Sequence, residues 1–184
     1  MKKQLEIKMK KPSITQLLDL LNKPALIGWA NKQGLQGVDI EVSRKKYLNN
    51  GTSIHKQIEN YITDGVCFSN ELHQLSFNNF MEDKEIIDVE KSIETEWFVG
   101  RFDASIKYKN KVYLIDYKSN ATKIYFENKL QLIAYSMAYP CDAFAVVSVP
   151  NFRLIEFDVK EINEYKTIIK SLSDIYKSKL LLNE

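Results

Sequence analysis

Residues 97–119 read Trp97-Phe98-Val99-Gly100-Arg101-Phe102-Asp103-Ala104-Ser105-Ile106-Lys107-Tyr108, then Lys109-Asn110, then Lys111-Val112-Tyr113-Leu114-Ile115-Asp116-Tyr117-Lys118-Ser119. Two runs rich in Val, Ile, Phe and Tyr flank a polar pair, which is the pattern of a β-hairpin. Along the first run Phe98, Gly100, Phe102, Ala104 and Ile106 share one face, while Arg101, Asp103 and Ser105 share the other. Along the second, Tyr113, Ile115 and Tyr117 oppose Asp116 and Lys118. A two-residue turn at Lys109-Asn110 pairs Ala104 with Ile115, Phe102 with Tyr117, and Asp103 with Asp116. A three-residue loop would mix the two faces and is rejected.

Asp103 and Asp116 would then sit side by side, with Cβ atoms roughly 4.5–5.5 Å apart. Like charges so placed destabilise a sheet unless something neutralises them. A hard divalent cation such as Mg²⁺ or Mn²⁺ would do so through the carboxylate oxygens. Lys118, on the same face, offers the competing solution of a plain Asp–Lys salt bridge on an exposed surface. The hairpin alone leaves both open.

Outward from the hairpin, a strand is expected at 86–94, a helix at 123–139, strands at 142–149 and 152–158, and a closing amphipathic helix from Glu161 to Leu182. The closing helix carries Ile162, Tyr165, Ile168, Ile169, Leu172 and Ile175 on its apolar side. Upstream, Ser13 N-caps a run with Ile14, Leu17, Leu18 and Leu21 at helical spacing. Pro24 ends that run or restarts it, and Leu26, Ile27 and Trp29 continue the apolar face, the indole as core rather than as a base-stacking platform. The chain is looser after Gly34 and Gly37, a second helix is expected from Gly51-Thr52, and residues 66–85 give no clear pattern. The expected fold is α/β: a mixed central sheet flanked by helices, with a helical N-terminal layer over 1–84 and the sheet core over 85–184 of a single domain.

The chain has 184 residues, is 45% hydrophobic and 27% charged, and so is fit for one packed core without disulfide or metal staples. Two cysteines, Cys67 and Cys141, are too few for a zinc ribbon or a four-cysteine iron–sulfur cluster, and are read as buried thiols. No apolar run reaches the roughly 18 residues of a membrane span, and no signal peptide follows the basic start, so a cytoplasmic protein is expected. Residues 82–96 hold 7 acidic and 2 basic side chains between two mildly basic segments. That stretch is either a cation site in a phosphate-tolerant surface or a solvated acidic loop. Twenty-three of the 26 basic residues are lysines, which favours sequence-independent contact with a nucleic acid over base reading. The lysine-rich lead-in, residues 1–11, is expected to be loosely held.

Several elements together resemble a known family. Asp103 in GRFD, with Asp116-Tyr117-Lys118 in LIDYKS following, resembles the signature of the PD-(D/E)XK nuclease superfamily. QLIAY (Gln131 to Tyr135) and GTSIHKQIE (Gly51 to Glu59) resemble the QxxxY and GxxxH elements of its RecB-like branch. Residues 13–34 further resemble the N-terminal region of phage and mitochondrial-genome-maintenance-type exonucleases. The resemblance runs from residue 13 to about 150. Ser119-Asn120 replaces the Thr-Gly that often follows the DYK, and the iron–sulfur cysteines of some relatives are missing.

The resemblance implies a restriction-endonuclease-like core and a metal-dependent deoxyribonuclease, working as an exonuclease on single strands or duplex ends. Asp103, Asp116, the backbone carbonyl of Tyr117 and His55 would hold Mg²⁺ or Mn²⁺, with Glu90 a further acidic candidate and no iron–sulfur cluster. Lys118 would position or activate the attacking water and stabilise growing charge on the phosphate, while Gln131 and Tyr135 would line the substrate site. DNA, contacted without regard to sequence, is the implied partner, in a bacterial cell or as a phage product in its host. A lone helical histidine is ordinarily structural, and the GTxxH context is what argues for His55 as a ligand. Two other classes compete: a catalytically silent nuclease fold serving as a DNA-binding or regulatory subunit, and an acidic-patch protein with no nucleic-acid partner. Crowded carboxylates beside Lys118 argue against the silent module, and the lysine-rich lead-in against the third.

Overall fold

Lys109 and Asn110 both take left-handed backbone conformations, with φ of 49° and 60°, the geometry of a two-residue hairpin turn whose twist matches its strands. The computed structural model describes residues 10–182, except for the side chains at 24, 25 and 46–52. The hairpin joins β2 (Val99–Tyr108) to β3 (Lys111–Ser119), and the register is the one its sequence dictates, from Tyr108–Lys111 through Ala104–Ile115. There the ladder stops. The pairings expected next, Asp103 with Asp116 and Phe102 with Tyr117, do not form.

The neighbouring strand, β1 (Glu85–Glu94), antiparallel to β2, is irregular as well. Its register slips between Ile86 and Asp88, and Glu90 adopts φ +47°, a left-handed conformation that costs a non-glycine residue about 1–3 kcal/mol. Strand alternation breaks at this level. Phe98 and Phe102 pack with Leu114, Leu130 and Tyr135 on one side of the sheet, whereas Ala104 and Ile106 pack with Ile54, Ile58 and Phe77 on the other. The single apolar face expected for Phe98 through Ile106 is therefore two half-faces, with Asp103 at the crossover.

From β3 the chain crosses over through α5 (Phe126–Ser136) to β4 (Ala143–Val149), which lies parallel to β3, and returns antiparallel as β5 (Arg153–Phe157). The result is one five-stranded mixed sheet in the order β1-β2-β3-β4-β5, flanked by helices, as the strand and helix spacing leads one to expect. On one face, α5 packs with α1 (Ile14–Leu18) and α6 (Ile162–Leu182). Ser13 caps α1 reciprocally with Gln16, and the buried Ser173 of α6 donates its hydroxyl to the carbonyl of Trp97. The apolar stripe of α6 is centred on Ile169 and Leu172, and Ile175 is exposed rather than buried.

The other face is covered by α3 (Ile40–Asp64) and α4 (Glu71–Met81); α2 (Pro24–Leu35) packs on α3. Helix α3 begins eleven residues before the expected Gly51, because the Asp39 carboxylate accepts from the backbone N–H groups of Glu41 and Val42. Helix α4 fills the stretch that seemed patternless. Asn70 caps it, and Phe77 and Phe80 anchor it against Phe68 and Phe152. Most of the lysine-rich lead-in, residues 1–9, lies outside the described residues; Lys11, at its end, is pinned to Glu94 and to the Thr95 carbonyl. Cys67 is exposed, against the expectation of a buried thiol, and Cys141 is half-buried.

Candidate metal centre

His55 stands on the face of α3 that meets the sheet. Its Nε2 donates to the Tyr117 carbonyl at 2.9 Å, which leaves the Nδ1 lone pair turned toward Asp103 Oδ2 at 3.6 Å. Burial holds the imidazole below its usual pKa, only partly offset by the charge of Asp116, so the ring is neutral near pH 7. One acceptor thus faces another across a gap too long for a hydrogen bond. Glu90 completes the group: one ligand atom from each of His55, Glu90 and Asp103 lies within 4.8 Å of the other two. The kinks in β1 and β2 that interrupt the ladder are what turn Glu90 and Asp103 toward α3.

The carboxylates are held at a cost. Burial, then the neighbouring charge of Asp116, pushes the Asp103 carboxyl well above the usual carboxylate range, even though the Tyr117 N–H donates to its Oδ2 at 2.7 Å. Burial also raises Glu90, against the pull of Arg101, whose Nε lies 2.7 Å from Glu90 Oε2. The group resists carrying its own negative charge.

Asp116 stands outside this trio. Its Oδ1 accepts from the Lys118 ammonium at 2.9 Å; its Oδ2 lies 2.7 Å from the same nitrogen, yet off its hydrogen-bonding direction and without a hydrogen-bond partner. The side chain is only 2% exposed, so an acceptor atom without a hydrogen bond, offset by the charge of that ammonium alone, is buried beside the trio. Burial pulls the Lys118 pKa down, but Asp116 and Asp103 outweigh it and the net shift is upward, so the ammonium stays charged. The sequence's alternative of an Asp–Lys pair is therefore present, with its carboxylate buried and its ammonium half-buried rather than on an exposed face.

Gln131 and Tyr135, one turn apart on α5, bond each other, Gln131 Nε2 donating to the Tyr135 hydroxyl at 3.0 Å. Tyr135 is buried beneath Gly100 and Phe102 and acts as a packing residue. Gln131 instead lines a surface cavity of about 320 Å³ together with Lys118, Lys23, Asn128 and Tyr125. The Tyr117 carbonyl, expected to be a ligand, is engaged in orienting His55. Arg101, which fixes Glu90, was passed over in the sequence; only its neighbour position before the Phe102-Asp103 pair could have drawn attention to it. Of the other acids in this stretch, Asp88 pairs with Lys91 and Glu94 with Lys11, and Glu90 is the one that joins the trio.

No family model matches this chain, and no curated protein matches it in sequence. A solved structure titled "Crystal structure of SSO0001" aligns over 98% of this chain and 80% of its own, at 17% identity and a TM-score of 0.45, a likeness that carries no functional inference. Among the described residues, no helix is long and apolar enough to cross a membrane.

Proposed function

We propose that this chain is a divalent-metal-dependent DNA exonuclease, acting on single strands or duplex ends without sequence preference, as the PD-(D/E)XK-like motifs imply. The observation that carries the reading is the trio of His55, Glu90 and Asp103, a nitrogen and two carboxylates whose negative charge the fold disfavours, set beside the buried Asp116 and its half-buried partner Lys118. The two carboxylates suit Mg²⁺ or Mn²⁺, and the imidazole favours Mn²⁺ of the two. The unpartnered Oδ2 of Asp116 fits the same ion as a further oxygen donor. When bound, such an ion supplies positive charge against a scissile phosphate and acidifies a water.

The protein's own groups have separable parts. His55, fixed in one tautomer by the Tyr117 carbonyl, presents Nδ1. Asp116 keeps Lys118 charged and in place, and that ammonium, a cation rather than a base, offsets negative charge growing on the phosphate. Gln131, beside Lys118 in the shared cavity, is placed to touch the sugar-phosphate chain. With 23 lysines and three arginines, the chain favours charge contact over base reading.

A second reading, a DNA-binding subunit without turnover, draws on the same Asp116–Lys118 pair, which ties up both groups. Incubation with end-labelled single-stranded DNA separates the two. The enzyme degrades it from an end in Mn²⁺ or Mg²⁺ and not in EDTA, and Asp116→Ala abolishes cleavage. Binding without any metal-dependent cleavage leaves the silent subunit.

A further inference from the structure

Next to the trio, α3, α4 and the end of β3 enclose a cleft of about 540 Å³ whose lining includes Ser53, Ile54, Gln57, His73, Asn120 and Pro150. Two of its walls belong to elements that build the metal centre. Ser53 and Ile54 immediately precede His55 on α3, and Asn120 lies two residues past Lys118, about 7 Å along an extended chain. The cleft therefore adjoins the turn of α3 that carries His55 and the end of the strand that carries Asp116, while the Lys118 side chain lines the separate cavity with Gln131.

The lining is unlike a phosphate site. None of its residues is an Asp, Glu, Lys or Arg. Gln57 bridges Ser53 and Ser69 and Asn70 caps α4, so the neutral polar lining is held in place by its own hydrogen bonds; Ile54, Val149 and Pro150 supply apolar surface, and the His73 imidazole is its one planar ring. Neutral polar groups beside apolar surface and a ring fit a base with its sugar, since a base stacks on a planar side chain and bonds at its edges. A volume of about 540 Å³ lies at the scale of one small ligand and is too small for a stacked duplex.

We propose that this cleft is the subsite for one unpaired nucleotide flanking the scissile phosphate, with His73 as the stacking platform. This rests on the nuclease reading for the identity of the polymer. The subsite gives that reading a physical basis for selecting single strands. A base still paired in a duplex cannot enter, so a duplex end would have to fray first. The mixed hydroxyl and amide lining accommodates any base.

The test is binding of a fluorescein-labelled oligothymidylate, followed by anisotropy in EDTA so that no cleavage intervenes, with the steady-state KM for the same oligonucleotide measured in Mn²⁺. His73→Ala is expected to weaken binding roughly tenfold or more, as loss of one stacked base does, and His73→Phe to restore it. Ser53→Trp, at an exposed helical position in the cleft lining, should obstruct entry, weaken binding in EDTA and raise KM. The same oligothymidylate annealed to oligodeoxyadenylate should bind more weakly than the single strand, and its binding should not respond to His73→Ala. Wild-type affinity and KM in both His73→Ala and Ser53→Trp overturn the subsite even if the wild type is a competent nuclease. Weakened binding in both, with no cleavage by the wild type in any metal, keeps the subsite and removes the nuclease reading. A wild type that binds no oligonucleotide overturns the subsite outright.

Discussion

Asp103 is the residue at which the metal proposal meets thermodynamics. Burial raises its folded-state pKa above the unfolded value, so the neutral form is the one the fold prefers. The associated stability is complete below the unfolded carboxylate pKa and is lost as pH rises through the raised folded value. Without metal, the wild type should lose melting temperature over that rise, and Asp103→Asn should lose less, a difference visible in thermal melts at pH 5 and pH 8. Mn²⁺ competes with the same proton, so it should raise the wild-type melting temperature more at pH 8 than at pH 5. Lys118 behaves differently, because an ammonium ligates nothing. Lys118→Ala should retain Mn²⁺ binding yet lose ~10²–10³ in kcat, as removal of one preorganised charge stabiliser does. A variant that cleaves at wild-type rate, or fails to bind Mn²⁺ although folded, contradicts the role given to Lys118. At this scale the sequence showed His55, Glu90, Asp103 and Lys118 as the candidates. The hairpin left a pairing of its aspartates with Lys118 open, and Asp116 makes it; that Glu90 would turn toward His55 was not visible, because it goes with a backbone conformation at Glu90 that no glycine marks.

Elements were legible where local chemistry fixes them. The Lys109-Asn110 turn has only one length that keeps the faces of β2 and β3 consistent, and the register followed from it. Ladder arithmetic then overreached at Asp103, since it assumes both strands stay in step to their ends, whereas β2 breaks its alternation between Phe102 and Ala104, level with the left-handed Glu90 of a third strand. Helix α3 was read late because its first turns hold charged and polar residues and its cap, Asp39, follows Gly37 as a turn residue would. Helix α4 was missed because it is short and its buried Phe77 and Phe80 stand among asparagines and serines. A close approach links β2 to α5: a Cβ at Gly100 would meet the Tyr135 ring at 2.8 Å and the Ile14 side chain at 3.5 Å. Tyr135 is buried and cannot swing away cheaply. Gly100→Ala should therefore cost about 1–3 kcal/mol in denaturant unfolding and disturb the Gln131–Tyr135 bond. A variant of wild-type stability would show that α5 is looser on the sheet than this packing implies.

Across the whole molecule, two apolar layers grip one sheet, and the candidate centre lies where the sheet changes which layer its β2 residues serve. The layer under α3 presents His55; the layer under α5 presents Gln131 and packs Tyr135; the crossover delivers Asp103 and Glu90 between them. That arrangement ties the trio to global packing rather than to a single loop, so metal binding and folding should be coupled. Calorimetric titration of Mn²⁺ into the folded wild type, His55→Ala and Glu90→Gln tests the claim that these side chains form a divalent-cation site. The wild type should bind with a saturable, pH-dependent heat, and each variant, still folded by circular dichroism, should bind at least tenfold more weakly. Equal Mn²⁺ affinity in all three proteins, or no binding by the wild type, would contradict it.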